Sequence, residues 1–348
     1  MIGGNRWYRA GGLALAWFLL ACAGPAAPSA PAPGAAGASA SAPQPVRARV
    51  AYVTIAGNML PVWIAEDQGF FRKQGLDIEL IYIAGAAKIA EAVVAGELDL
   101  AVAPASSAIG PGLEGADTVM VASWSDKLFF SALTSPAIQT PAEFRGKRLG
   151  VSRRGSNSEI WAGAVLAPLG LEVDRDYQLV PMGGQPEQLA GLQNGAIDVA
   201  LLSPPTNIMA RKLGFNEVMS YRDYKLEFAN VGGVTTRHYI RDQPETLDRV
   251  LRALAEGTAA MVRDTDTSLA VLGRYTKSDD RELLEETLAA ERSRTPRDMI
   301  PTAIGVGAAL DELATSNPKA ATAEWSAFVD LGPIQRVNDS GFIASLYQ

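Results

Sequence analysis

Few residues in this chain can support covalent or metal chemistry. Its 348 residues include one cysteine, Cys22, and one histidine, His238. One of each cannot build a Cys/His zinc site. A Ser-His-Asp or Cys-His hydrolase would have to rest on His238 alone. No D-x-[DN]-x-[DN]-G loop occurs, so only an all-carboxylate metal site stays open, and no cofactor is expected. The chain is better supplied with residues that bind. In Thr54-Ile55-Ala56-Gly57-Asn58, Gly57 lets backbone approach a ligand and Asn58 can donate or accept; a turn with Asn58 as helix cap is the alternative. Ser106 and Ser107 stand ahead of a helical run whose free N–H groups favour an anion, although capping alone would explain them. Residues 152–158 join a glycine turn, Gly155, to Ser156, Asn157 and the pair Arg153-Arg154. Those arginines suit a sulfonate, carboxylate or phosphate. Adjacent side chains diverge, so at most one would face a ligand, and a solvated surface pair is the plain alternative. Ser203 and Asn207 form a further polar loop.

These polar runs sit where alternating strands and helices would place them. Residues 49–54, 76–83, 98–102 and 119–122 read as strands, with helices over 60–67, 86–95 and from 106. The pattern restarts with strands over 129–133, 148–152, 178–181 and 197–202, and helices over 158–169 and 186–194. Such alternation implies parallel sheets with right-handed crossovers, an α/β fold. From 244 the tail reads as helical: Leu247, Val250, Leu251, Leu254, Thr258, Met261 and Val262 share one helix face. Further helices are expected over 279–292, 301–315, 320–329 and 340–347.

An internal near-repeat is the most informative feature. Gly96-Glu97-Leu98-Asp99-Leu100-Ala101-Val102 recurs as Gly195-Ala196-Ile197-Asp198-Val199-Ala200-Leu201, an offset of 99 residues. In each copy Gly ends a helix, Asp marks a strand start, and a small polar loop follows. Ligands of open α/β sheets lie beyond such strand ends. Two lobes built alike would therefore present two facing rims. The motif is also a generic helix-to-strand junction; the matching order of elements around both copies is what favours a duplicated lobe.

Composition is that of a globular body, 48% hydrophobic and 20% charged. The formal net charge is −7, and without a Lys/Arg run a nucleic-acid partner is not expected. The first 21 residues carry Arg6, Arg9 and an apolar run over 13–21. That run is too short to span a bilayer, which takes about 20 residues, and it fits a secretory signal core. The ending Leu19-Leu20-Ala21-Cys22 resembles the bacterial lipobox. That resemblance implies cleavage before Cys22 and lipid on its thiol, with a plain secretory signal as the alternative. Two or more acyl chains would hold the protein on a membrane far better than one. Residues 22–45 are nearly all Ala, Pro, Gly and Ser and read as a disordered tether.

Residues 58–83, NMLPVWIAEDQGFFRKQGLDIELIYI, resemble the start of the solute-binding proteins of ABC importers. The closer likeness is to the group handling sulfonates, taurine, nitrate and thiamine-pyrimidine precursors. Its A-x-x-x-G-F-F-x-x-x-G-L-D-φ-E-φ stands at 65–80, FRGKRLGV at 144–151 resembles the opening of its second lobe, and VNDSGF at 337–342 its close. The resemblance implies a type II periplasmic-binding-protein fold: two α/β lobes, two crossing segments and a ligand cleft between. Lobe one would be 46–126 plus 231–348, and lobe two 127–230. Trp124, before the first crossing, would stack on a ring or wall the cleft, or else pack in the core. Asn230, near the second crossing, would reach the solute. The implied protein is a monomeric, membrane-anchored extracytoplasmic receptor that closes on a small solute and delivers it to a permease and its ATPase. The arginines and helix starts favour a small anion, while the aromatic and amide groups fit a pyrimidine-like ring. A sensor for a signalling partner is the alternative. An enzyme on this scaffold, such as a thiamine-pyrimidine synthase, is not expected, because its chemistry draws on Cys and His.

Overall fold

Short apolar runs bounded by glycine and small polar residues fold as strands, as their spacing predicts. The structure, a computed structural model, describes residues 44–154, 156–224 and 226–348. The expected signal over 1–21, Cys22, residues 22–43 of the expected tether, and Gly155 lie outside the described residues. In chain order the strands are β1 (Val46–Tyr52), β2 (Leu76–Tyr82), β3 (Leu100–Ala103), β4 (Thr118–Lys127), β5 (Ser131–Thr134), β6 (Lys147–Val151), β7 (Tyr177–Pro181), β8 (Val199–Leu202), β9 (Asn216–Met219) and β10 (Glu227–Thr236). They form two sheets, ordered β2-β1-β3-β10-β4 and β7-β6-β8-β5-β9. β1 is parallel to β2 and β3, and β6 to β7 and β8. β10 runs antiparallel to β3 and β4, and β5 to β8 and β9. The two sheets thus share one order and one reversed strand in the same place. The chain passes between them twice, from β4 to β5 and from β9 to β10.

The near-repeat has a structural cause. The Arg49 N–H donates to Asp99 Oδ2 at 2.7 Å, and its guanidinium donates to Gly96 O at 2.9 Å and Asp99 Oδ1 at 3.3 Å. Arg148 repeats these bonds to Asp198 Oδ2, Gly195 O and Asp198 Oδ1 at 2.9, 2.8 and 3.0 Å. Each Asp locks its strand start to the neighbouring strand, at the sheet end away from the polar loops. The Arg148 guanidinium holds the Asp198 carboxyl below its ordinary range. That stabilisation is present at neutral pH and is lost as pH falls through the acid range.

β3 (LAVA) and β8 (VALL) are buried along their length, as central strands covered on both faces must be. The long strands β4 and β10 pair across register shifts. A Cβ at Gly232 would lie 2.1 Å from Ala122 O, so only glycine lets the two backbones approach there. In the tail, helix Pro244–Arg263 buries Leu247, Val250, Leu251 and Leu254 in a core shared with Trp63 and Ile64 of helix Leu60–Asp67. Helix Ala303–Ala314 adds Val306, Ala309 and Leu310 to a second core. That core holds Leu149 and Trp161 from the second half and Ala105 and Ile109 from the first, so the tail packs on both.

Some expectations need correction. Residues 320–329 are not one helix but lie across two 3-10 turns, Pro318–Thr322 and Trp325–Phe328, with Ala323 and Glu324 extended between them. The helix expected over 340–347 is instead a single turn, Phe342–Ser345, which follows helix Gly332–Asp339 and is split from it where Gly341 takes a left-handed φ of 75°. The strand expected over 129–133 is β5, Ser131–Thr134; Phe129 lies before it, its ring packed at a tilt of 36° against Tyr221. β9 and β10 were not expected, since Asn, Glu and paired glycines carry little strand signal. Nor was helix Thr265–Thr276, whose Asp264 cap accepts from the Thr267 N–H.

Candidate functional site

The C-terminal ends of β1, β3, β6 and β8 carry the four polar loops, and the reversed strands bring Ser131 and Asn230 to the same ends. Among the grooves that the described residues form between the halves, two hold candidate residues. One, of about 460 Å³, lies between Ala86, Ala90, Ser106 and Gly110 of the first half and Arg153 of the second. The other, of about 270 Å³, lies between Gly57 of the first half, Pro205 and Met209 of the second, and Leu272, Leu284 and Thr287 of the tail. A groove of about 540 Å³ at the opposite end of the first sheet, between Arg47, Asp77 and Asp99, holds none of the candidate residues.

Thr54 is half-buried just beyond β1. Gly57 is buried, and a Cβ there would sit 2.8 Å from both Glu291 Oε1 and Thr287 Cγ2. Glycine is therefore what lets helix Arg281–Arg294 close on this loop. Asn58 Oδ1, Asn207 Oδ1 and Trp124 Nε1 are buried without a hydrogen-bond partner among the described residues. The Asn207 amide donates to Ser131 Oγ at 3.4 Å. Trp124 packs in the first core, its ring against the backbone of Gly233. Ser106 lines the larger groove, while buried Ser107 donates to Ala86 O at 3.3 Å and ties two loops together. Ser203 is held by Gln185, which accepts from its N–H at 2.9 Å and donates to its Oγ at 2.5 Å.

The arginine pair divides. Arg154 reaches Asp174 at 3.1 Å and Glu159 at 3.5 Å and lines neither groove. Arg153 is the one that faces the first half across the larger groove. Gly155 lies outside the described residues. Ser156 Oγ lies 2.9 Å from Ser158 Oγ, which accepts from the Ser152 N–H at 3.1 Å. Asn157 donates to Asn230 Oδ1 at 3.4 Å, and Asn230 to Ser125 Oγ at 3.5 Å. This chain of amides links a lobe-two helix start to both long strands. Turned over, the Asn157 amide would instead donate to Glu312 Oε1 and Oε2 at 3.1 and 3.0 Å. Burial pushes the Glu312 carboxyl up to about 7, against the pull of Arg153.

Sequence reasoning missed the contribution of the tail. Glu291 and Arg294 are a buried pair, 2% and 6% exposed, joined by bonds of 2.8 and 2.6 Å. Burial raises the Glu291 carboxyl and the Arg294 charge opposes it. The Arg294 guanidinium lies 4.4 Å from the Phe129 ring, which stacks on Tyr221 at 3.8 Å between centroids. Ion pairs also cross from the second half to the tail: Arg211 with Glu286, and Lys212 with Asp280 at 2.7 Å and Glu282 at 3.0 Å. A signal existed. Residue 291 falls on the face marked by Leu284, Thr287 and Leu288, where a charge must be paired. The loop after β2 was also missed, although the strand-end rule covers it.

Among the described residues no group of three or more His, Cys, Asp or Glu side chains can hold a metal, and no helix is long and apolar enough to cross a membrane. His238 is exposed, with Nε2 3.1 Å from Asp242, beyond the end of β10 away from the polar loops.

Solved structures share this architecture. The periplasmic aliphatic sulphonate binding protein SsuA from Escherichia coli is 18% identical, with a TM-score of 0.68 over 83% of this chain and 92% of its own. The periplasmic nitrate-binding protein NrtA from Synechocystis PCC 6803 is 12% identical, with a TM-score of 0.68 over 88% and 92%. The desulfurization enzyme DSZB is 16% identical, with a TM-score of 0.64 over 84% and 99%. No curated protein matches the chain. The fold is thus that of the periplasmic binding proteins. Residues 56–268, more than half of the sequence, match the family described as NMT1/THI5 like, and the chain belongs to that family.

Proposed function

We propose that this protein is an extracytoplasmic receptor that captures a small solute between two lobes and delivers it to an ABC permease and its ATPase. The carrying observation is the pair of sheets with one shared order, whose strand ends meet at polar loops around two interlobe grooves. Lobe one is 46–126 with 231–348, and lobe two is 127–230. Asn58, Ser106, Arg153 and Asn207 are the first contacts to test. The family match and the likeness to proteins named for sulphonate and nitrate binding support the reading. DSZB shows that the scaffold also carries catalysis. Against an enzyme here stands the lone histidine, exposed and away from the polar loops. The receptor is a monomer, held at the membrane by lipid on Cys22.

The full chain, purified and stripped of solute, should be screened by thermal shift against sulfonates, nitrate, taurine, bicarbonate, aromatic carboxylates and pyrimidines. A ligand at about 100 times its Kd stabilises by about 2.7 kcal/mol, which raises the Tm of a body this size by several degrees. A selective shift accompanied by contraction in small-angle scattering supports closure on solute. Silence across the whole panel refutes the assignment to these solute classes. Separately, Cys22→Ser should move the protein from the membrane to the soluble fraction; retention on the membrane would remove the lipid anchor.

A further inference from the structure

The two ends of helix Arg281–Arg294 meet the rest of the chain in different ways. The C-terminal end rests on the passages between the sheets. The Arg294 guanidinium lies over Phe129 of the first passage, and that ring packs on Tyr221 of the second. All three residues are buried. The N-terminal end, with its cap Asp280, reaches the second half through surface charges. Lys212 pairs with Asp280 at 2.7 Å and Glu282 at 3.0 Å, Arg211 with Glu286, and Arg222 with Glu286 at 3.6 Å. Each of these side chains is at least 28% exposed. The three cations are not equivalent. Glu217 of the same half lies 3.4 Å from Arg211 and 3.9 Å from Arg222. Lys212 pairs with no acid of its own half among the described residues. The 14 residues of the helix, at about 1.5 Å of rise each, put roughly 20 Å between its ends. A rotation of the second half about the buried end would keep the contacts there and part the charges at the far end.

We propose that this helix is an electrostatic latch, seated on the passages between the sheets and holding the second half, through Lys212 and Arg211, at the angle seen here. This rests on the two-lobe reading above but needs no solute. An exposed ion pair adds little to folding stability, because water solvates both charges once they part. The free-energy difference between two lobe arrangements is also small, so the same pairs can set it. Lys212 carries most of the effect: opening leaves Glu217 beside Arg211 but leaves Lys212 with water alone. Salt acts on the latch and not on its seat, since it screens exposed charges far more than buried ones. The hold on the second lobe therefore weakens as ionic strength rises, which a latch of apolar contacts would not do.

The test is pulsed dipolar spectroscopy on the full chain without solute. Because the chain has one native cysteine, Cys22→Ser frees it for spin labels at Val94→Cys in lobe one and Leu169→Cys in lobe two, both exposed positions. At low salt a single distance between the labels is expected. Lys212→Glu sets a like charge against Asp280 and Glu282 and should add a second, shifted population. Salt at about 1 M, where screening acts within about 3 Å, should add the same population when Lys212 is kept. Glu282→Lys combined with Lys212→Glu restores opposite charges and should return most molecules to the first distance. Both substitutions are at exposed side chains, so the fold is kept, which the Tm of each variant checks. A distance unmoved by salt and by Lys212→Glu overturns the latch. So does a response to salt that Lys212→Glu fails to reproduce, or a shift that the charge swap fails to reverse. Each of these outcomes leaves the receptor reading standing, because solute binding alone decides it.

Discussion

Replacing Arg294 by alanine is expected to lower the unfolding free energy by about 3–5 kcal/mol, the usual cost of leaving one member of a buried ion pair uncompensated. Glu291 is 2% exposed and its bonds to Arg294 are bidentate. Without the guanidinium its carboxylate has no cation in contact among the described residues, and the Phe129 ring loses the charge that lies 4.4 Å from its centroid. The damage should reach the cleft, because Glu291 Oε1 packs where a Cβ on Gly57 would be. Urea unfolding of the single variant and of Glu291→Gln/Arg294→Met separates the causes. The double variant removes both charges and keeps most of the volume, so it should recover most of the loss. If it is as unstable as Arg294→Ala, the cost is lost packing on Phe129 and not an unpaired charge.

The elements that were legible are those whose local pattern agrees with their tertiary role. β1, β2, β6 and the helices between them follow apolar periodicity and glycine stops, and Asp99 and Asp198 marked equivalent strand starts in two lobes. Their partners Arg49 and Arg148 could not be read from that motif, since each lies on a different strand and only the folded sheet brings it to the Asp. The same holds for the site. The four strand-end loops were placed from sequence because topology fixes where loops go. Which side chains those loops present depends on distant partners: Asp174 and Glu159 draw off Arg154, and Gln185 holds Ser203. β10 was hidden because its pairing with β4 is made by Gly232 and Gly233, which permit close approach but carry no strand signal. The partners of the tail's polar residues lie on other elements, Glu286 and Asp280 pairing with Arg211 and Lys212 of the second half, so the tail's own pattern does not reveal them.

Glu312 should make stability depend on pH in the direction opposite to Asp198. Its carboxyl is pushed up to about 7 by burial, whereas in the unfolded chain it titrates near 4.3. Below about pH 4 both states are protonated and the group contributes no penalty. From about pH 4 to 7 the unfolded chain loses the proton while the folded protein keeps it, so stability falls as pH rises and then levels off. Arg153 and solvent moderate the effect, so the loss should be about 1–3 kcal/mol. Glu312→Gln removes the titration. The variant should match the wild type in urea at pH 4.5 and exceed it by that amount at pH 8; an equal difference at both pH values would show that burial of Glu312 is not the cause.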